Sequence, residues 1–281
     1  MRAIVRTLVT TFALALTLAL GATAVAPAER PVVIPICQLA LSSASVTSSS
    51  CPPRPEFLTS FVPKRLPRKE MAPIAVSVQG GVGFADGSQP PAVREFRIDF
   101  DRNTEVDASE LPACGRALLE TLGNREARRR CRDSIIGLGT ARAAIPPLSP
   151  NAITLPLTLF NAGVRDGTTT LLIHTSIASP SKESLVVAVK IERVENGRYG
   201  WEAVARIPEV AAGEASLLDF DFVIGRSRRG AVPAWRYALA RCPDDHLVAR
   251  ATFVLADDTQ LIGTVTRSCT PRAAPAASSA G

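Results

Sequence analysis

The stretch "DFDRNTEVDASE", Asp99 to Glu110, places oxygen-bearing side chains at its first, third, fifth, ninth and twelfth positions, namely Asp99, Asp101, Asn103, Asp107 and Glu110, with an apolar Val106 at the eighth. That is the ligand spacing of a calcium-binding helix-loop-helix loop. Two requirements of such a loop fail. The sixth position needs Gly, because the chain takes a positive φ there, and it holds the β-branched Thr104. The preceding "PPAVREFRI" has two prolines and the alternation of a strand where a helix should enter. The expected arrangement is a strand that reverses through a polar turn at Asp101 to Thr104 and leads on through Asp107 and Ser109. Calcium binding by Asp99–Glu110 stands as an alternative.

Other residues able to do chemistry are few. The carboxylate pairs Asp219/Asp221, Asp244/Asp245 and Asp257/Asp258 could serve glycoside hydrolysis if two acids faced one cleft about 5 to 9.5 Å apart. Nothing in the spacing brings them together, and two Trp and two Tyr stock a sugar-stacking platform poorly. His174 sits in the strand-like "LLIHTSI" and His246 in the loop "CPDDHL", both settings of a structural or solvated histidine. The "GRSRRG" stretch lacks the Gly-x-Ser-x-Gly spacing of a hydrolase nucleophile turn. No catalytic, cofactor-binding or metal-ligating residue is therefore assigned, and a secreted hydrolase using an acidic pair or His246 is kept as an alternative.

Charge points to surfaces rather than chemistry. The formal net charge is +6, carried by 28 Arg and four Lys against 26 acids. In a helix Arg125, Arg128, Arg129 and Arg132 would share one face, which could attract an anionic cell-wall polymer or lipid headgroups. No aromatic residues interleave with these arginines, which argues against nucleic acid.

The N-terminus supplies the compartment. Arg2 and Arg6 precede an apolar run from Leu8 to Leu20, and small residues follow in "GATAVAPAE", the pattern of a secretory signal peptide, 1–24, cut after Ala24. The run is too short for the roughly 20 residues that span a bilayer, so no transmembrane span is expected. In an exported chain, six cysteines imply disulfides. They fall as three sequence-local pairs, so Cys37–Cys51, Cys114–Cys131 and Cys242–Cys269 are expected, each worth about 3 kcal/mol by loop-closure entropy.

Residues 25–70 are rich in Pro and Ser and read as a partly disordered arm, and 271–281 as a disordered tail. Between them, 71–270 is mostly short alternating runs separated by turn signals, the rhythm of an antiparallel sandwich or barrel. The expected fold is all-β, an antiparallel β-sandwich with a short disulfide-bearing helical insert at about 111–137. Hairpins are expected at Asp166-Gly167 and Asn196-Gly197. In "LLDFDFVIG", Leu218, Phe220, Phe222 and Ile224 are expected to share one face. The insert is expected to hold two short helices packed over one end of the sandwich.

The succession "GFADGSQPPAVREFRIDFDRN", "LPACGRAL", "ARRRCRDSIIGLGTARA", "VAVKIERVENGRYGWEAVARIPEVAAGEASLLDFDFVIGR" and "YALARCP" resembles a group of uncharacterised secreted proteins common in high-GC Gram-positive bacteria, over most of 75–270. The resemblance implies a signal peptide and an all-β domain with a disulfide-bearing insert, and it carries over no catalytic residue. The function expected from all of this is an exported structural or interaction domain of the cell envelope or medium, without catalysis.

Overall fold

Short alternating runs become strands almost throughout the computed structural model, which describes residues 53–84, 88–146, 148–149, 151–177, 183–225 and 237–272. All of these fall within Ser45–Gly281, one of two units into which the chain divides. The leader, the Cys37–Cys51 pair and most of the Pro/Ser-rich arm lie outside the described residues, as does the tail beyond Arg272. In chain order the elements are β1 (Arg54–Val62), β2 (Arg65–Pro67), β3 (Ala72–Pro73), β4 (Ala75–Gly83), β5 (Val93–Asp101) and β6 (Thr104–Val106). Two helices follow, α1 (Arg116–Glu120) and α2 (Asn124–Arg130). The chain continues with β7 (Ile135–Ala144), β8 (Ile153–Arg165), β9 (Thr168–Ile177), β10 (Glu183–Asn196), β11 (Tyr199–Arg206) and β12 (Ser216–Ile224). It closes with β13 (Ala238–Ala240), β14 (His246–Leu255), β15 (Gln260–Ser268) and β16 (Thr270–Arg272). Residues 54–67, assigned from sequence to the arm, thus begin the folded domain.

Eleven strands form one sheet in the order β1-β4-β12-β7-β8-β9-β10-β11-β5-β14-β15, antiparallel at every step. The all-β antiparallel fold with its helical insert is as the sequence implies, and the sheet curls until it nearly closes into a barrel. Its edge strands meet without a ladder: Arg267 Nε on β15 donates to the Thr59 carbonyl on β1. A Cβ added to Gly263 would sit 3.1 Å from Phe57 Cβ. Both expected hairpins form. Asp166 and Gly167 take φ of 51° and 79° between β8 and β9, the two positive values a tight primed turn needs, and Gly197 takes 59° between β10 and β11.

The half of the barrel beside the seam is packed like a sandwich. Phe96 on β5 meets Phe220 on β12 across the interior at 5.0 Å between ring centroids, with Phe253 and Phe222 extending the cluster at 4.7 and 5.6 Å. Gly80 makes room for this, since a Cβ there would lie 2.5 Å from Phe220 Cζ. In β12 the inward set differs from the expected one: the register against β7 shifts between Leu217 and Asp219. This bulge hands the inward position from Leu218 to Leu217, which lines the interior with Phe220, Phe222 and Ile224.

The insert lies against the outer face of the sheet rather than over an end. Leu119, Ala127 and the Cys114–Cys131 bridge pack on Phe160, Leu172 and Val186, outward-facing residues of β8, β9 and β10. Apolar side chains on that outer patch would otherwise meet water, and two helices this short need such a platform. Gly123, with extended backbone, is the N-cap of α2, so Asn124 is its first residue, and the helical stretch ends where Ile135 enters β7. The barrel end where β5 stops and β14 starts is covered by the small sheet β3-β13-β6 and by a second apolar cluster that includes Leu66, Ile74 and the Cys242–Cys269 bridge.

Candidate functional site

The half of the barrel away from the seam is hollow. An eleven-stranded closure is wider than the eight-stranded one whose interior side chains just fill. Here β7 and β11 present small residues inward, Ala141, Ala143, Ala203 and Ala205, facing Leu157 and Leu171. The result is a cavity of about 450 Å³, within the range of roughly 300–1,000 Å³ typical of small-molecule sites. Outside, the same strands carry charge: Glu95 and Arg97 on β5, Lys190 and Glu192 on β10, Glu202 and Arg206 on β11. Apolar inside and charged outside is the reverse of a membrane-spanning barrel. Among the described residues no helix is long and apolar enough to cross a membrane.

The polar atoms of the lining fall into two groups. At the end where β9 passes to β10 and β11 to β12, Glu183 and Glu209 are exposed at the rim, with Arg94 in an ion pair with Asp258. At the opposite end Glu105 pairs with Arg193 at 3.5 Å. Four hydroxyls belong to the lining; those of Thr104 and Ser216 donate to the Asp101 and Pro90 carbonyls at 2.7 Å each, which leaves two. Tyr237 is 1% exposed and Thr175 4%; both line the cavity, and neither hydroxyl has a hydrogen-bond partner among the described residues. Tyr237 is fixed through its backbone, whose carbonyl accepts the Asp107 N–H at 2.9 Å. Burial pushes the Tyr237 hydroxyl pKa well up from its ordinary value, so it keeps its proton and is a donor in search of an acceptor.

The acids singled out by sequence are engaged elsewhere. Asp99 and Asp101 end β5 and are buried. Asp99 Oδ2 accepts Arg250 Nε at 2.8 Å. Asp101 accepts the backbone N–H and side-chain amide of Asn103 at 2.9 Å each, Arg198 Nε at 2.7 Å and the Val248 N–H at 3.1 Å. Asp107 accepts the Ser109 N–H and hydroxyl. The loop is the polar turn expected at Asp101–Thr104, and its buried carboxylates Asp99 and Asp101 are engaged by arginines and amides. The three acidic pairs do not share a cleft. Asp219 pairs with Arg142 at 2.9 Å and Asp221 accepts Gln79 at 2.7 Å, both on the outer face of β12. Asp244 pairs with Arg198 at one end of the barrel, while Asp257 and Asp258 lie in the β14–β15 turn at the other. His246 begins β14, its Nδ1 2.6 Å from the Asp244 carbonyl oxygen. Among the described residues no three of His, Cys, Asp and Glu come together as metal ligands would.

The four arginines do not form one free face. Arg128 turns inward to donate to Thr158 Oγ1 at 2.8 Å, and Arg129 forks onto both oxygens of Glu126 at 2.7 Å. Since α2 ends at Arg130, Arg132 sits in a separate 3₁₀ turn, Arg132–Ser134. Arg125 and Arg132 remain exposed. His174 is fully buried on the outer face of β9 beneath the insert, and its Nε2 lies 2.9 Å from the Leu122 carbonyl oxygen, which also accepts the Ser184 hydroxyl at 2.6 Å. Burial lowers its pKa, outweighing the hydrogen bonds to Leu122 and Leu119, and Arg128 adds to the lowering.

Sequence reasoning missed the cavity. Its trace is the inward alanines of "GTARAAI" and "WEAVAR", positions where a filled core wants bulk, and a tyrosine followed by apolar residues in "YALA". Compared with known proteins, the chain matches no protein-family model, and no curated protein or solved structure is similar to it.

Proposed function

We propose that the protein is an exported, non-catalytic binding protein that holds an apolar small molecule inside its barrel. The cavity of about 450 Å³ carries this reading, because it is lined almost wholly by hydrocarbon and a polar solute would forfeit its hydration there. Two disulfides in the described chain fit an oxidising compartment. The leader pattern and the resemblance to secreted proteins support export to the envelope or medium. The structural role expected from sequence becomes the scaffold of this site. The test is titration with the fluorescent apolar dye N-phenylnaphthylamine. Saturable enhancement is expected for the wild type, and a loss of affinity of about tenfold or more for Ala205→Phe, whose ring would occupy the cavity while adding buried apolar area. No enhancement in the wild type, or equal affinity in the variant, sinks the proposal.

A second reading rests on the exposed Arg125 and Arg132, which still offer positive charge to an anionic cell-wall polymer. Salt-released pelleting with purified wall, lost in Arg125→Ala/Arg132→Ala, would support it.

A further inference from the structure

We propose that the bound molecule is an uncharged amphiphile, a long-chain ester, alcohol or ketone, whose oxygen receives the hydroxyl of Tyr237 or that of Thr175. The inference rests on the barrel interior being the binding site and adds what the ligand must look like. A hydroxyl buried among hydrocarbon without an acceptor is destabilising, and two of them lining one cavity are the polar points that a small number of oriented groups usually supply in an apolar site. A pure hydrocarbon would leave both unpaired. A fatty-acid anion is excluded by charge: the lining holds three carboxylates, Glu105, Glu183 and Glu209, against one guanidinium, Arg94, which is already paired with Asp258. An ionised head inside would have no countercharge, and at the rim it would face Glu183 and Glu209.

The experiment is displacement of N-phenylnaphthylamine from the full chain by dodecane, methyl laurate and laurate, at about pH 8 where a carboxyl is ionised. The wild type is expected to prefer methyl laurate to dodecane, and to bind laurate about tenfold or more weakly than the ester. Tyr237→Phe and Thr175→Val keep shape and remove one hydroxyl each, so in at least one of them the preference for ester over alkane should fall about tenfold while dodecane binding is unchanged. Laurate binding as tightly as the ester, or an ester-to-alkane ratio unchanged in both variants, overturns the inference. If one variant does not fold, as judged by circular dichroism and thermal unfolding, the other variant and the wild-type ester-to-laurate comparison still decide. Failure of the dye itself to bind the wild type would instead remove the reading of the barrel as a binding site.

Discussion

Two sets of buried polar groups divide this molecule. At the end of β5, Asp99 and Asp101 are withdrawn from water, and both carboxylates are held by donors: Arg250 on Asp99, and Arg198, the Asn103 amides and the Val248 N–H on Asp101. In the hollow half of the barrel, Tyr237 and Thr175 are withdrawn from water as completely, yet their hydroxyls meet nothing among the described residues. The residues that look most chemical in the sequence are thus spent on structure. Inside the cavity, those left with unused capacity among the described residues are two hydroxyls, Thr175 on β9 and Tyr237 just before β13. Unsatisfied capacity, rather than residue type, marks the place where this protein has something left to bind.

The saturated end should be the more expensive to break. Asp101→Ala strips four hydrogen bonds and leaves Arg198, whose side chain is only 27% exposed, with Asp244 and the His246 carbonyl as its remaining partners. Breaking one side of a buried pair costs about 3–5 kcal/mol, which urea unfolding would read as a lower midpoint with an unchanged slope. The dye affinity of the folded fraction should stay at the wild-type value, since Asp101 does not line the cavity. A cost below about 1 kcal/mol would mean that this cluster behaves like an exposed ion pair, and the contrast between the two ends would lose its force.

How much of this could be read from the sequence follows the same division. Local rules sufficed for the strands, for the Asp166-Gly167 and Asn196-Gly197 hairpins, for the two described disulfides and for the turn at Asp101, because each depends on residues close in sequence. What escaped depends on closure. Alternation shows that Ala203 and Ala205 point inward, but whether they touch a facing strand or border a void depends on how far apart the walls stand, and that is set by strands as distant as β4 and β14. The bulge at Leu218 and the seat of the insert escaped for a similar reason. Outward Phe160, Leu172 and Val186 break no strand pattern when both faces of a strand are covered.

His174 gives a pH-dependent form of the comparison, being a buried polar group with one ring nitrogen engaged and Nδ1 without a partner among the described residues. Its folded pKa is lowered, so below its unfolded value of about 6.5 the unfolded chain takes up a proton that the folded chain refuses. Stability is therefore intact above that pH and declines as the pH falls towards the lowered folded value, by up to about 1.4 kcal/mol per unit. The decline precedes that from Glu95 and Glu126: burial pushes Glu95 up but Arg97 and Arg206 together outweigh it, and Arg129 and Arg130 hold Glu126 ionised, so both folded pKa values lie below the ordinary carboxylate value. Urea midpoints for the wild type and His174→Leu at about pH 7.5 and pH 5.5 would show it. The wild type should lose stability across this interval and the variant much less. Equal slopes would mean that the histidine titrates freely and that the insert is not seated over it.

The smallest effect has the most telling sign. In most proteins, removing a buried hydroxyl costs stability because it orphans a partner; Tyr237→Phe orphans nothing among the described residues. Relieving an unsatisfied donor is worth about 1 kcal/mol, so the variant without ligand should melt a few degrees above the wild type. For a domain of this size about 1 kcal/mol corresponds to roughly 2–4 °C. Saturating methyl laurate should then reverse the order, because ligand stabilises each protein in proportion to the logarithm of its affinity and the variant binds the ester more weakly. A hydroxyl whose loss stabilises the empty barrel and destabilises the filled one is kept for the ligand. If Tyr237→Phe instead melts lower with and without ester, the hydroxyl holds the fold together and belongs with Asp99 and Asp101.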